Sequence, residues 1–208
     1  MRTTSSDEIL DRLKSYYTYA ERSRAPFRIL ISTILSQRTK DENTARASKA
    51  LFRKYDTPEA LAEAEISEIE LLIRPAGFYR VKARRIKAAA RHIAAHYQGE
   101  VPDTLEELLK LEGVGRKTAN CVLVYGFGIP AIPVDVHVHR IANRLGLVST
   151  KTPEETECAL QKVFSRKDWI PINSLLVSFG KEFCKSGNPQ CDRCFLSDLC
   201  PMQRTQTQ

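Results

Sequence analysis

Residues 111–120 read LEGVGRKTAN, and this stretch places two glycines between one apolar helical pattern and a second one that starts at Arg116. The arrangement predicts a helix-hairpin-helix. Gly113 and Gly115 suit the turn because it needs positive φ, and because a ligand can approach the backbone closely only where no Cβ intervenes. Backbone N–H groups at the start of a helix bind phosphate. We therefore expect the turn, with Val114 between its glycines, to hold a phosphate group.

Lys117 lies in the first turn of the second helix, directly after Arg116. The helix dipole is positive there, and together with the neighbouring guanidinium it disfavours the ammonium form. These conditions favour a neutral amine and make Lys117 a candidate nucleophile. The alternative is an exposed lysine in an ordinary turn between two core helices.

Asp135 follows Lys117 by 18 residues and stands in the sequence VDVH of residues 134–137. Because it comes after a proline and a valine and before an apolar helical pattern, it occupies an N-cap position. Capping alone would account for it. A capping carboxylate is also rigid and ionised, which suits a group that faces a developing cation. Asp135 is therefore a candidate catalytic partner of Lys117.

The charge balance indicates a polyanionic partner. Lysine and arginine number 32 against 25 aspartate and glutamate residues, which gives a net charge of +7 at pH 7. Charge alone does not separate DNA from RNA or from a membrane surface. No apolar run reaches the roughly 18 to 20 residues that span a bilayer, and the starting sequence MRTTSSDE lacks the apolar core of a signal peptide. We expect a cytoplasmic protein that is not inserted in a membrane.

Helix signals recur along the whole chain, and the alternating patterns typical of strands are short and rare. The sequence therefore predicts an all-α fold of about ten helices. Several helix starts carry a capping residue followed by a proline, by a glutamate three residues on, or by both. They lie at Thr57, Ser67, Thr104 and Thr152.

Four cysteines crowd together near the end of the chain with the spacing C-x6-C-x2-C-x5-C; they are Cys184, Cys191, Cys194 and Cys200. Without an export signal, a metal bound by four thiolates is a more economical interpretation than disulfides. Zinc ribbons use two tight C-x-x-C pairs, and only one pair is tight here. An uneven, compact spacing suits a cubane iron-sulfur cluster at least as well. The spacing alone leaves zinc and iron-sulfur open.

The chain resembles the endonuclease III type of DNA glycosylase, a family of the helix-hairpin-helix superfamily. The resemblance covers about residues 26–201 and rests on three motifs in order, LEGVGRKTAN, VDVHVHR and the cysteine spacing. It implies a [4Fe-4S] cluster on the four cysteines rather than zinc. It also implies two helical domains with a DNA-binding cleft between them. One is a six-helix barrel of residues 22–132, with the helix-hairpin-helix at about residues 105–125, and the other is a cluster domain of residues 1–21 and 133–208.

The resemblance further implies a bifunctional DNA glycosylase and abasic-site (AP) lyase of base excision repair that removes oxidised pyrimidines such as thymine glycol. Lys117 would attack C1′ of the damaged nucleotide, and the resulting Schiff base would break the strand 3′ to the abasic site by β-elimination. Asp135 would stabilise the sugar cation or take the proton of Lys117. The implied partner is double-stranded DNA with damaged bases or abasic sites, bound by a monomer associated with the prokaryotic nucleoid.

The sequence departs from the family pattern in two places. In LSQRTKD, residues 35–41, the family commonly has glutamine at the fourth position, where it fills the gap left by the flipped base. Here Arg38 takes that position and Gln37 comes one place earlier, so either could fill the gap. Glu112 stands where the family commonly has proline, so we expect that either its side chain points away from the phosphate or the turn binds phosphate less tightly.

Residues 77–85 resemble the family's G-x-Y-x-x-K-A segment and form a basic helix start with an aromatic residue, which is a candidate second DNA contact; the alternative is a solvated charged face. The remaining predicted DNA contacts are basic, aromatic or imidazole side chains in this segment or close to the other motifs. They are Tyr79, Lys82, Arg116, His137 and Lys185. His137 and His139 are two residues apart on one helix, which is a poor spacing for a shared metal.

Two other functions stay open. A mismatch glycosylase of the same fold would remove thymine or uracil opposite guanine, although such relatives typically lack a lysine at the position of Lys117. A non-catalytic DNA-binding module with structural zinc is the second alternative. The colour of an iron-sulfur cluster would exclude that module.

Overall fold

The structure is a computed structural model that describes residues 5–18 and 25–204. Within these ranges the chain forms helices and no strand, which confirms the predicted all-α class. Twelve α-helical segments are present there, compared with the about ten that the sequence predicted. None of the helices in these ranges is long and apolar enough to cross a membrane.

The α-helices are numbered in chain order. They are α1 (Ser5–Tyr16), α2 (Pro26–Ser36), α3 (Asp41–Phe52), α4 (Pro58–Glu63), α5 (Ile66–Leu72), α6 (Tyr79–His96), α7 (Leu105–Leu108), α8 (Arg116–Val122), α9 (Val136–Arg144), α10 (Pro153–Val163), α11 (Trp169–Glu182) and α12 (Pro201–Arg204). A π-helical turn occupies Leu123–Phe127, and 3-10 turns occupy Arg166–Asp168 and Cys191–Arg193.

Contacts divide the chain into two compact units. The central unit is Arg22–Ile129, and the terminal unit combines Met1–Glu21 with Pro130–Gln208. The sequence predicted divisions before residue 22 and before residue 133. The first of these lies within residues 19–24, outside the described residues, and the second contact boundary lies three residues before the predicted one.

Helix α2 is the main core element of the central unit. It packs against α3, α6, α8 and the π-helical turn. The side chains of Leu30, Ile31, Ile34 and Leu35 are fully buried, and their helical spacing fills more than one side of the helix. Burial on several sides fixes α2 and therefore fixes the position of the turn that follows Ser36.

The helix after the hairpin does not continue as the sequence predicted. The helix-hairpin-helix was predicted to run to about residue 125, whereas α8 ends at Val122 and a π-helical turn follows. Gly126 lets this turn approach α2 closely, because a Cβ there would lie 3.0 Å from the Cα of Pro26. A wider turn caused by tertiary packing leaves no mark on the local apolar pattern.

Three of the four predicted helix caps are confirmed. The hydroxyls of Thr57, Thr104 and Thr152 each accept a hydrogen bond from the backbone N–H three residues on. The prediction for Ser67 is wrong, because α5 begins one residue before it. The earlier start places Ile66 on the same helical face as the buried Ile69.

The terminal unit has its own core, in which α11 packs against α1 and α9, and α10 packs against α9. Ile172, Leu175, Leu176 and Phe179 give α11 a buried apolar face. Cys184, Cys194 and Cys200 are partly buried and pack against this core. The cysteine loop is therefore attached to the hydrophobic centre of its unit.

Candidate active site and metal centre

The hairpin between α7 and α8 has the predicted turn at Gly113 but a different role for Gly115. Gly113 has φ +80°, and a Cβ there would lie 2.9 Å from Cδ of Arg85. Gly115 has φ −94° and is the N-cap of α8, so the prediction of positive φ is wrong for it. Around a Cβ at Gly115 there is open space. Glu112 is exposed, as expected for a side chain that points to solvent.

Lys117 is the second residue of α8 and is half-buried. The residues that follow it, from Thr118 to Val122, are all buried and anchor the helix in the core. The Lys117 amine makes no hydrogen bond or ion pair with any of the described residues. An amine that is held on a fixed helix and has no protein partner is available to react with a ligand.

Asp135 is the N-cap of α9, as the sequence predicted. Its Oδ1 accepts hydrogen bonds from the backbone N–H groups of His137 and Val138, each at 2.9 Å. The preceding chain is also fixed, since the amide of the buried Asn173 donates to the carbonyl of Pro133 at 2.7 Å. The carboxylate is half-buried and rigid. Its capping role is confirmed, and its catalytic role stays a prediction.

The two histidines of α9 have different surroundings. Nδ1 of His139 lies 2.6 Å from the hydroxyl of the buried Thr156, so this ring is part of the packing of α9 on α10. His137 is half-buried in the first turn of α9, and its Nδ1 lies 3.3 Å from Nη2 of Arg140. His137 is thus a neighbour of Asp135, and its predicted DNA contact remains a prediction.

In the turn after α2, the side chains of Gln37 and Arg38 have different surroundings. Nε2 of Gln37 donates to the carbonyl of Gly113 at 3.1 Å, which ties this side chain to the hairpin. Arg38 is exposed and has φ +50°, a left-handed conformation that is uncommon for a residue with a side chain. Of the two candidates for the gap left by a flipped base, only Arg38 has a side chain that is not held by the hairpin.

Lys82 requires a correction, because it was predicted to contact DNA. Only 3% of its surface is exposed, and its ammonium donates to Leu35 O at 2.7 Å, Gln37 O at 2.5 Å and Thr39 Oγ1 at 2.7 Å. Burial lowers the pKa of Lys82 to about 8, while the three oxygen acceptors favour the charged form. With all its donors used inside the protein, Lys82 is no direct phosphate contact.

A cavity of about 400 Å³ lies beside this turn, at the start of α6. Its lining combines one amide with cationic and apolar side chains; they are Gln37, Arg38, Phe78, Val81, Lys82 and Arg85. Phe78 is 64% exposed and has φ +57°. The sequence pattern indicated residues 77–85 as a second DNA contact but did not single out Phe78, Val81 or Arg85, although a phenylalanine between a glycine and a basic helix start was a signal for the first of them.

Tyr79 and Lys185 stay predicted DNA contacts. Tyr79 is the first residue of α6, is half-buried, and has the guanidinium of Arg80 5.0 Å from its ring centroid. Lys185 is exposed in the cysteine loop. Arg116 is half-buried at the start of α8 and likewise stays a predicted contact.

The four predicted metal ligands line one largely apolar cavity of the terminal unit. Leu145, Phe179 and Phe183 form the apolar part of that lining, next to Cys184, Cys191, Cys194 and Cys200. Burial raises the pKa of the Cys194 thiol, and the other three cysteines raise it further. Binding of a metal removes this penalty because it compensates the thiolate charges.

The ligand set in this cavity fits an iron-sulfur cluster. Four cysteine thiols line one cavity with an apolar wall, and four thiolates are the ligands of a cubane cluster, in which each thiolate binds a separate iron.

Arg144, which the sequence analysis did not single out, organises the start of the cysteine loop. Its guanidinium donates to Lys185 O at 2.8 Å and to Ser186 O at 3.0 Å, and Nη1 lies 3.6 Å from Sγ of Cys184. Its only sequence signal was a basic residue in the last turn of a helix. It holds the loop in place from α9.

Two family models match the chain. The model described as the HhH-GPD superfamily base excision DNA repair protein matches residues 31–166. The model described as the iron-sulfur binding domain of endonuclease III matches residues 184–200, the segment bounded by Cys184 and Cys200.

Relatives and solved structures agree with these models. The chain is 57% identical over 179 residues to endonuclease III of Thermotoga maritima, covering 86% of this chain and 84% of that one. It is 42% identical to endonuclease III of a Synechocystis strain, over 93% and 90% of the two chains. A trapped covalent intermediate of endonuclease III with DNA has a TM-score of 0.89 and 36% identity, covering 99% and 100%. A thermostable thymine-DNA glycosylase has a TM-score of 0.84 and 26% identity, covering 97% of each chain.

Proposed function

The chain belongs to the endonuclease III family of the helix-hairpin-helix superfamily, and from that membership we propose that it removes oxidised pyrimidines such as thymine glycol through a covalent intermediate on Lys117. As a family member it is a base excision repair DNA glycosylase and abasic-site lyase that binds DNA and carries an iron-sulfur cluster. The lesion class, the covalent chemistry and the roles of individual residues are the proposal.

The observation that carries the proposal is the unpartnered amine of Lys117 on the helix that follows the hairpin. The neutral amine attacks C1′ of the flipped nucleotide, the base leaves with the bonding electrons, and the ring-opened sugar forms a Schiff base with Nζ. Loss of a proton from C2′ then expels the 3′ phosphate by β-elimination. The imine acts as the electron sink, and hydrolysis returns the amine.

Asp135 supports this sequence of steps as a fixed anion. Its Oδ1 is used by the two capping hydrogen bonds, and no hydrogen bond to Oδ2 occurs among the described residues. We assign Oδ2 to the substrate side, where it stabilises the cationic sugar or accepts the proton of Lys117. Asp135 and Lys117 belong to different units of the chain, so this role rests on the chemistry of the capped carboxylate.

DNA contact is proposed for the surface beside the hairpin. The open space at Gly115 admits a phosphate to the N–H groups of Gly113 and Gly115, whereas the N–H of Val114, predicted to take part, donates to Leu111 O at 3.1 Å. Arg38, the exposed member of the pair, enters the gap left by the flipped base, and Phe78 acts as an apolar wedge between bases. Gln37 supports the hairpin instead. The enzyme acts as a monomer on double-stranded DNA with damaged bases or abasic sites.

The iron-sulfur cluster is held by Cys184, Cys191, Cys194 and Cys200 in this proposal. When bound it supplies cross-linking of the loop rather than a reacting group. The residues around it keep water away from the sulfur atoms, since Leu145, Phe179 and Phe183 form an apolar wall. Arg144 orients the first ligand through its bonds to the loop backbone.

Borohydride reduction tests the covalent step. Incubation with DNA that contains thymine glycol or an abasic site should yield a protein–DNA adduct whose modified peptide contains Lys117. The variant Lys117→Gln should bind the same DNA within about threefold but lose at least about a thousandfold in strand cleavage. Lys110→Gln is the matched control, because this exposed lysine of the same hairpin pairs with Glu107. Adduct formation by Lys117→Gln would overturn the assignment.

A lesion panel tests the substrate class separately. Base release from thymine glycol should exceed release of thymine opposite guanine by at least about a hundredfold in kcat/KM. The thymine-DNA glycosylase of similar fold makes the mismatch the necessary comparison. Preferential release from the mismatch would replace the proposed substrate class with the alternative one.

A further inference from the structure

Lys82 is one of the two most deeply buried charged residues in the described chain, and the proposed chemistry does not use it. Its ammonium donates to Leu35 O, Gln37 O and Thr39 Oγ1 at 2.5–2.7 Å. All three acceptors belong to the segment that ends α2. The last carbonyls of a helix have no partner within the helix, and Lys82 supplies one from α6.

The same group of contacts connects a second turn, the one before α6. Thr39 Oγ1, which accepts from Lys82, also accepts from the backbone N–H of Gly77 at 3.1 Å. The two turns are in direct contact, since a Cβ at Gly77 would lie 2.9 Å from the carbonyl oxygen of Arg38. Lys82 therefore stabilises both turns through one hydroxyl and two carbonyls.

Each turn contains a residue in a strained conformation. Arg38 has φ +50° and Phe78 has φ +57°, and both carry side chains that this region of φ disfavours. Such conformations persist only where the surrounding contacts determine them. Both side chains are exposed and line the cavity beside α6, so the strained positions are also the ones that face solvent.

We propose that Lys82 is a positioning residue that holds the two turns together, so that Arg38 and Phe78 meet DNA as one rigid pair. The inference rests on the proposed function, because that function assigns DNA contact to these two side chains. An apolar residue in place of Lys82 removes the side-chain donor of Leu35 O and leaves Gln37 O with the Thr39 hydroxyl alone, at 3.2 Å. The two turns then lose the ammonium that connects them and maintains their left-handed residues. Neither side chain is then presented at a fixed position.

A double-mutant cycle tests this role. Dissociation constants are measured for duplex DNA that contains a tetrahydrofuran abasic analogue, which the enzyme binds but does not process. Lys82→Met should weaken binding about tenfold in the wild-type background. In a background that carries both Arg38→Ala and Phe78→Ala, the same change should weaken binding less than about threefold, because the two side chains through which Lys82 acts are already gone.

A matched control distinguishes positioning from general stability. Lys87 lies on the same helix and donates to the carbonyl of Ala64 at 2.5 Å, away from both turns. Lys87→Met should bind the abasic analogue like the wild type. Thr39→Val keeps the ammonium but removes the shared hydroxyl, and it should weaken binding of the abasic analogue less than Lys82→Met does. It replaces Lys82→Met in the cycle if that variant does not fold.

The outcomes are separable from those of the proposed function. At saturating DNA with a true abasic site, Lys82→Met should form the borohydride adduct at a rate within about threefold of the wild type, since its effect is on binding. Equal losses from Lys82→Met in both backgrounds, or an equal loss in Lys87→Met, would overturn the positioning role. Failure of the wild type to form an adduct would instead count against the lyase chemistry and leave the binding cycle informative.

Discussion

Asp135 combines a structural contact with a proposed chemical one on the same carboxylate. Both capping hydrogen bonds end on Oδ1. A residue that caps a helix from a single oxygen keeps the other oxygen in a fixed place. The two roles can therefore be separated by substitutions that preserve one and remove the other.

Asp135→Asn should retain the cap, because asparagine caps helices about as well as aspartate, and the free energy of unfolding should change by less than about 1 kcal/mol. Glycosylase activity should fall at least about a hundredfold, because the negative charge is lost. Urea unfolding and single-turnover base release measure the two quantities. Asp135→Ala is the comparison, because it should lose both the helix cap and the glycosylase activity. Unchanged turnover in Asp135→Asn would leave Asp135 with capping alone.

The two hairpin glycines should respond differently to a methyl group. At Gly113, alanine meets positive φ and the Arg85 side chain, so Gly113→Ala should destabilise the protein by about 1–2 kcal/mol. At Gly115, alanine fits the backbone and empty space, so stability should be maintained while affinity for duplex DNA falls. Thermal unfolding and fluorescence anisotropy with labelled DNA provide the measurements. Full affinity in Gly115→Ala would exclude close approach of a phosphate there.

At the scale of elements, α7 is a single turn that depends on side-chain contacts for its position. Oε1 of Glu107 accepts from Lys110 at 2.6 Å, and Oε2 accepts from the Tyr97 hydroxyl at 2.5 Å. The Lys110 contact is local to the hairpin, and the Tyr97 contact joins α7 to the end of α6. Because helices this short are unstable in isolation, the tertiary contact maintains the first half of the hairpin.

The acid sensitivity of this contact follows from the pKa of Glu107, which Lys110 and then Tyr97 hold below its ordinary value. A lowered pKa in the folded state gives stability that is present above the unfolded pKa and is lost as the pH falls through the folded one. Glu107→Gln should therefore lose less stability than the wild type when the pH is lowered from about 5 to 3. Urea unfolding at several pH values in this range measures the free energy of unfolding of each protein. Glu106→Gln, at an exposed glutamate of the same turn, is the control. Identical pH profiles of wild type and Glu107→Gln would contradict the contribution.

At the scale of the whole molecule, the proposed catalytic residues and the cluster ligands are divided between the two units. Lys117, the hairpin and the turns held by Lys82 belong to the central unit, whereas Asp135 and the four cysteines belong to the terminal unit. The cysteine loop has little regular structure, with one 3-10 turn between Cys184 and Cys200. Turn hydrogen bonds and the bonds of Arg144 to Lys185 O and Ser186 O hold parts of this loop, and a bound cluster would cross-link the rest through the four cysteines.

Loss of the cluster should expose this loop. Cys194→Ser should lose visible absorbance and become susceptible to proteolysis within residues 184–200 before any other described segment is cleaved, because the thiolate cross-links are gone. Limited proteolysis with mass spectrometry measures the order of cleavage. Cys158→Ser, at an exposed cysteine of α10 outside the cavity, should behave like the wild type. First cleavage elsewhere would show that the cluster does not order the loop.

The sequence by itself determined the features that depend on neighbours along the chain. Three threonine caps, the Asp135 cap and the turn at Gly113 involve groups within about four residues of one another, so local patterns were sufficient to predict them. The cysteine spacing and the hairpin motif were sufficient for the family. Chemical type and short spacing carried this information.

The tertiary structure alone decided which polar side chains face solvent. Lys82 and Arg38 are both basic residues in motif segments, yet one is buried against α2 and the other is exposed. Gln37 is held by Gly113, 76 residues away, and Lys82 by Leu35, 47 residues away. Burial and hydrogen bonds between distant residues arise from packing of whole helices, and a local pattern contains no record of the partner.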